Sequence, residues 1–150
     1  MLENTLNEDL KRSLLAGDSF TTTALRTLKS TILYAKVAAG TRGQDMPDAE
    51  LIALLQKEAR KRQESADLYR QGGSEDRAVN ELREKEIIER YLPQQRTEAE
   101  ITAMVDAAIG QVDVAGPAAM GAVIAAVKRE AAGSADGALI ARIAKQRLNR

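Results

Sequence analysis

Apolar positions along this chain recur at the three- and four-residue spacing of amphipathic helices. Leucines stand at every fourth position from Leu2 to Leu14, which predicts a first short helix that ends at Gly17. The same periodicity predicts six further helices, over about 20–39, 48–71, 75–91, 98–109, 117–132 and 136–148. Runs of alternating β-branched residues are missing, so the pattern predicts an all-α fold.

Cap and turn residues predict where several of these helices begin. Asp48 and Ser74 stand where side chains that accept hydrogen bonds would cap the third and fourth helices. The segment Thr97–Glu100 has the sequence of a capping box, in which a hydroxyl and a carboxylate bind each other's backbone amides. Pro117 is predicted to occupy the first position of the sixth helix, where its missing N–H costs nothing.

A change of composition at Pro93 predicts a domain boundary. All four aromatic residues precede this proline, and 16 of the 26 alanines follow it. We therefore expect an N-terminal domain over residues 1–93, built as a long-helix bundle or hairpin, and a small three-helix C-terminal domain over residues 94–150. The predicted core of the C-terminal domain consists of Ile101, Val105, Ile109, Met120, Val123, Ile124, Val127, Leu139, Ile140, Ile143 and Leu148.

The residue types that are absent narrow the possible chemistry. The 150 residues include no Cys and no His, which excludes disulfides, thiolate sites and imidazole bases. We expect no metal and no cofactor, and no self-contained active site is visible, so the sequence leaves open whether the chain belongs to an enzyme. The Gly-rich segment 133–137 is interpreted as a helix–helix turn capped by Ser134 or Asp136.

No stretch approaches the length of about 18 apolar residues that a membrane span needs. The first residues also lack the basic and apolar regions of a signal peptide. We therefore expect a cytoplasmic protein that has no membrane partner.

Charge is unevenly distributed, although Lys+Arg and Asp+Glu both number 22. Residues 19–44 contain no acid, and helical projection puts Arg26, Lys29 and Lys36 within about 80° of one another. Such a stripe is a candidate surface for nucleic-acid phosphates. The alternative is that these cations pair with the acid-rich helix that carries the glutamates of 81–89.

A second candidate nucleic-acid surface lies near the C-terminus, where Lys128, Arg129, Arg142 and Lys145 stand on the last two helices. Cations in this position also interact favourably with the helix dipole, which is the ordinary alternative.

Arg62 stands at the centre of the apolar stripe of the third helix, between Ala59 and Ala66. It is predicted to cross the seam between two helices and to form a structural ion pair with a carboxylate. Its basic neighbours Lys57, Arg60 and Lys61 project on the opposite side, which predicts a solvated face.

Several stretches in this order and spacing resemble the GatB/YqeY family across nearly the whole chain. They are Leu25–Lys29, Leu55–Ser65, Glu86–Pro93 with its Tyr-Leu-Pro, Met120-Gly121 and Gly133–Gly137.

The resemblance implies a C-terminal domain similar to the tail domain of the B subunit of glutamine-dependent aspartyl/glutamyl-tRNA amidotransferase. In that enzyme the tail helps to hold tRNA. The family label is carbon–nitrogen ligase activity with glutamine as amido-N-donor. For this chain the resemblance implies a non-catalytic adaptor that associates with tRNA or with proteins of the amidotransferase or aminoacyl-tRNA machinery. The alternatives are a protein-interaction scaffold with no RNA role and an amidotransferase subunit that needs other subunits for catalysis.

Overall fold

The computed structural model describes residues 1–113 and 115–149, and the regular elements in this part of the chain are all helical. The prediction of an all-α fold is confirmed. A short 3₁₀ helix, Gly116–Ala119, precedes the sixth α-helix. The α-helices are α1 Leu2–Leu15, α2 Ser19–Ala38, α3 Asp48–Gln71, α4 Glu75–Glu89, α5 Glu98–Gln111, α6 Met120–Ala131 and α7 Gly137–Leu148.

The chain divides into two compact units, Met1–Leu92 and Pro93–Arg150. In the first unit α3 and α4 pack along each other as a hairpin, α1 packs on α2, and α2 also contacts α4. The buried core of this unit consists of Leu6, Ala24, Leu25, Leu28, Ile32, Met46, Leu51, Leu55, Ala59, Ile87 and Ile88.

The leucine repeat of α1 does not form one buried stripe. Leu6 is buried, whereas Leu14 is 57% exposed. Four residues advance a helix by about 400°, so each step drifts by about 40° and Leu14 lies about 120° from Leu2. The spacing therefore predicted the helix but not which leucines it buries.

Two of the predicted side-chain caps in the first unit are wrong. Helix α3 already includes Asp48, and Pro47 is its N-cap. The Asp48 carboxylate instead accepts the backbone N–H of Leu2 at 3.0 Å, which ties α1 to the start of α3. Ser74 stands at the N-cap of α4, but its side chain makes no capping hydrogen bond there.

In the second unit α5, α6 and α7 each pack against the other two. The capping box is confirmed, since the Glu100 N–H donates to Thr97 Oγ1 at 3.2 Å and the Thr97 N–H donates to Glu100 Oε2 at 2.8 Å. Pro117 is the second residue of the 3₁₀ helix rather than the first residue of an α-helix, which corrects the predicted start of α6. Asp136 caps α7 by accepting the Ala138 N–H at 3.4 Å, as the turn interpretation predicted.

The core of the second unit contains ten of the eleven predicted residues, either buried or packed against the buried cluster. Met120 is half-buried and lies outside this cluster, while Met104 is buried in it. The sequence analysis also missed a set of buried alanines, Ala108, Ala119, Ala131, Ala135 and Ala144. Alanine favours helix on any face, so its presence did not indicate which side is packed.

No single helix in the described residues is both long enough and apolar enough to cross a membrane, although α5 and the segment Gly116–Ala131 meet those criteria as a bent pair.

Candidate nucleic-acid interface

Two of the predicted cations of α2 are exposed and lack a carboxylate partner. Asp18 caps the helix, since its carboxylate accepts the Thr21 N–H at 3.1 Å and the Thr21 hydroxyl at 2.7 Å. Arg26 and Lys29 lie about two and three turns after this cap, on the solvent side of the helix. Across residues 1–113 and 115–149, no carboxylate oxygen lies within 4.0 Å of either cation. Both are therefore free to meet an external anion.

Lys36 does not belong to this exposed stripe, which corrects the prediction for it. Its side chain is 10% exposed, and its Nζ donates to Glu3 Oε1 at 2.9 Å. Lys36 lies about 20° from the buried Leu25 on α2, and its partner comes from α1, which the charge pattern of α2 does not contain. The predicted alternative, pairing with glutamates of α4, is also wrong for Lys36, because its partner stands on α1.

Glu3 is the second half of this buried pair and also binds the loop that follows α2. Its Oε2 accepts the backbone N–H of Met46 at 2.7 Å. Burial raises the pKa of Glu3, but the hydrogen bonds from Met46 and Lys36, with the Lys36 charge, outweigh it and lower that pKa below its usual value. The carboxylate thus joins three segments of the first unit.

Arg62 lies between α3 and α4 among three carboxylates. Its guanidinium nitrogens are 3.9 Å from Glu58 Oε2, 3.5 Å from Glu81 Oε2 and 3.3 Å from Glu84 Oε2. Burial raises the pKa of Glu84, the Arg62 charge lowers it, and the Glu81 charge raises it, with a net increase. This cation is fully engaged in holding the hairpin together.

Glu58 was not predicted to belong to this cluster, although the sequence contains a signal for it. Leu51, Leu55, Glu58 and Arg62 follow the three- and four-residue spacing of one helix face. The side chain of Glu58 is only 7% exposed. A carboxylate at that position of an apolar stripe indicates a buried ion pair with the cation one turn away.

Three of the four predicted cations of the second unit are exposed without a carboxylate partner. Lys128 and Arg129 stand at the end of α6, and Lys145 stands on α7. Within the described part of the chain no carboxylate oxygen lies within 4.0 Å of these three. Arg142 differs, because its Nη2 lies 3.3 Å from Glu98 Oε1 on α5. That pair is solvent-exposed and therefore weak, so Arg142 can exchange partners.

The side chain of Lys128 runs over the start of α7. A Cβ atom added at Gly137 would lie 2.9 Å from Lys128 Cε and 3.2 Å from its Nζ. The ammonium therefore sits beside the first turn of α7, where helix amides also carry partial positive charge. Asp136 caps that turn, and Glu130, two residues after Lys128, is the acid closest to that lysine in sequence.

Two polar residues near this turn were not singled out in the sequence. The Arg96 N–H donates to the Ser134 carbonyl at 2.7 Å, and Arg96 Nε donates to Ser134 Oγ at 3.0 Å. The Gln95 side chain donates to the Gly133 carbonyl at 3.1 Å. They fix the loop between α6 and α7, which positions the end of α6 and its two cations.

A cleft of about 430 Å³ lies between α1, α2 and α4. On its wall the Tyr91 hydroxyl donates to Asp9 Oδ2 at 2.7 Å. Burial raises the pKa of Tyr91, and the bond to Asp9 and the charge of Asp9 raise it further, so the phenol stays protonated. This geometry supplies no nucleophile paired with a base. Among the described residues no group of three or more Asp, Glu, His or Cys side chains is placed to hold a metal.

Comparison with known proteins gives one family. The model of the family described as Yqey-like protein matches residues 3–148. The curated proteins contain no match to this sequence.

Proposed function

Since the chain belongs to the YqeY-like family, we propose that it is a non-catalytic cytoplasmic adaptor that binds tRNA through its second unit. We name tRNA as the ligand because this unit resembles the amidotransferase tail domain. The same resemblance is the reason to expect partner proteins from the tRNA amidotransferase machinery.

One observation carries the proposal. Lys128, Arg129 and Lys145 are exposed, and in the described residues they have no carboxylate within 4.0 Å. Cations that are not paired within the protein lose little when they bind phosphate oxygens, and they release condensed counterions from the RNA. Contacts of this kind position a protein on RNA without reading its sequence.

The charge balance of the second unit determines how strongly we expect it to bind tRNA. From Pro93 onward the chain has seven basic and six acidic residues, so attraction comes from a local patch rather than from net charge. We therefore expect weak binding at physiological salt and tighter binding at low salt.

A gel-shift titration with bulk tRNA at low salt tests the proposal. The wild-type protein should shift tRNA, and the double variant Lys128→Glu/Arg129→Glu should do so only at a much higher protein concentration. The variant Lys11→Glu/Lys57→Glu is a matched control, because it makes the same charge change at two exposed residues of the first unit. No shift by the wild-type protein at tens of micromolar would count heavily against the proposal.

A protein-interaction scaffold with no RNA role is the second candidate. It is favoured by Lys36, which is buried against Glu3, and by Arg142, which is paired with Glu98. Two of the seven cations predicted to bind nucleic acid are thus engaged in ion pairs within the protein. A pull-down that recovers protein but no RNA would support the scaffold.

A further inference from the structure

The solvent side of α2 combines unpaired cations with exposed apolar residues. We call this surface the outer face of α2; it consists of Arg26, Lys29, Ser30, Leu33, Tyr34 and Val37. The opposite side of the helix buries Leu25, Leu28 and Ile32 in the core. The six residues of the outer face are all exposed, although they follow the same helical period as the buried side.

The apolar part of this face is concentrated in little more than one helical turn. Leu33 is 43% exposed, Tyr34 is 76% exposed and Val37 is 52% exposed. Among the described residues eight large hydrophobic side chains are exposed, and three of them fall within these five positions. Single exposed apolar residues are ordinary, whereas a contiguous group marks an interaction site.

The charged part of this face indicates that the partner is negatively charged. Arg26 and Lys29 have no carboxylate within 4.0 Å in the described structure, and residues 19–44 contain no acid. At 1.5 Å per residue, Arg26 lies about 10 Å along the axis from Leu33, which is two helical turns. A partner that covers Leu33 and Val37 therefore places its own side chains beside two unpaired cations, and carboxylates complement them.

We propose that the outer face of α2 is the docking site for an acidic amphipathic helix of a partner protein. The apolar residues of that helix, spaced at i and i+4, cover Leu33, Tyr34 and Val37. Its Asp or Glu residues, two turns away on the same face, pair with Arg26 and Lys29. This arrangement is the ordinary mode in which an amphipathic helix binds an apolar surface.

The aliphatic centre of the face favours protein over RNA as its occupant. Leu33 and Val37 offer nothing to phosphate oxygens. RNA contacts usually combine cations with stacking on several aromatic side chains, whereas Tyr34 is the one aromatic among the six residues of this face. Arg26 and Lys29 are therefore assigned to a contact with a protein, which is separate from the tRNA contact proposed for the second unit.

Selection from a displayed library of helical peptides tests this inference, with the full-length protein as the bait. Two variants remove the proposed contacts, Leu33→Gln/Val37→Gln and Arg26→Glu/Lys29→Glu. Two matched controls make the same changes at exposed residues elsewhere, Leu68→Gln/Val79→Gln and Lys11→Glu/Lys57→Glu. Circular dichroism verifies that each variant is helical, and Leu33→Ala/Val37→Ala replaces the glutamine variant if that one unfolds.

The enriched peptides should carry an apolar i, i+4 pair with acidic residues two turns away. Their affinity should fall by at least about tenfold for both test variants and stay unchanged for both controls. Failure to enrich any peptide, or peptides that bind all variants equally, would overturn the inference.

Two further measurements distinguish the proposed partner helix from a second copy of the chain and from RNA. Light scattering of the protein alone should give a monomer, and self-association abolished by Leu33→Gln/Val37→Gln would assign the face to a second copy of the chain. The tRNA gel shift should be unchanged in Arg26→Glu/Lys29→Glu, and its loss would assign the face to RNA. Either result would overturn the inference, while a failure of the Lys128 and Arg129 test would leave it standing.

Discussion

At the scale of single residues, lysines on one helix have opposite roles. Lys29 is exposed and has no carboxylate within 4.0 Å among the described residues, whereas Lys36 is buried and donates to Glu3 at 2.9 Å. Sequence alone placed both in one stripe, because their projected angles differ by only about 20°. What separates them is the packing of α1, which covers α2 near its end and supplies the carboxylate of Glu3.

Replacing Lys36 with Met should destabilise the first unit. The change leaves Glu3 largely buried without its cation, at a cost of roughly 1–3 kcal/mol, between the values for exposed and buried pairs. Urea unfolding of the full chain measures this cost. Lys29→Met on the same helix is the control and should change the free energy of unfolding by less than about 0.5 kcal/mol. Equal effects of the two variants would contradict the role given to Lys36.

The Glu3 contacts also predict a pH dependence. The folded-state pKa of Glu3 lies below its usual value of 4.5, so its stabilising contribution is present above that value. The contribution is lost as the pH falls through the lower, folded-state pKa. Glu3→Gln should therefore be less stable than wild type at pH 7, and the difference should shrink toward pH 3. Unfolding curves over this pH range check it, and a difference that grows as the pH falls would contradict it.

At the scale of helices, the guanidinium of Arg62 links α3 to α4 through carboxylates of both helices. Arg62→Met would leave Glu58, Glu81 and Glu84 without the cation that they surround. We expect a loss of about 3 kcal/mol at pH 7, because breaking a buried pair leaves uncompensated charge.

The pH response of Arg62→Met provides a second check. The Arg62 charge lowers the pKa of Glu84, so that pKa rises further when Arg62 is removed. The repulsion between Glu84 and Glu81 is then relieved as the pH falls and Glu84 becomes protonated. The destabilisation relative to wild type should therefore be smaller at pH 5 than at pH 7. Arg26→Met, an exposed and unpaired arginine in the same unit, should have little effect at either pH. A loss independent of pH would contradict the electrostatic explanation.

Helix positions were more predictable than the interactions at helix ends. Periodicity and glycines predicted seven helices with starts and ends close to those observed, because both depend on local backbone preferences. The cap at Asp48 failed because Pro47 had already taken the N-cap position and the carboxylate bound α1. That contact joins residues 46 positions apart, which no local pattern contains.

In the alanine-rich second unit, the sequence did not indicate which alanines are buried. Its large aliphatic residues were predicted in the core because each has a clear helical position. Ala119 and Ala144 were missed, although each is at most 1% exposed. Their burial follows from how closely the three helices approach. Arg26, Lys128 and Lys145 are exposed, as expected of charged side chains with no carboxylate nearby among the described residues.

At the scale of the whole molecule, the second unit should fold by itself. Gln95 and Arg96 bind the loop before α7, so a fragment must begin at Pro93 to keep these contacts. We expect residues 93–150 to be helical and to unfold cooperatively, with a stability of at most about 3–5 kcal/mol. Circular dichroism with thermal unfolding measures this. A random-coil spectrum at low temperature would show that the fragment depends on the first unit.

The salt dependence of tRNA binding tests the central claim most directly. If Lys128 and Arg129 contact phosphates, log Kobs should fall linearly with log salt, and Lys128→Glu/Arg129→Glu should reduce the slope by about 2. The control Lys11→Glu/Lys57→Glu should retain the wild-type slope. Absence of tRNA binding at low salt, or an identical slope in wild type and Lys128→Glu/Arg129→Glu, would contradict the proposal that the second unit holds tRNA.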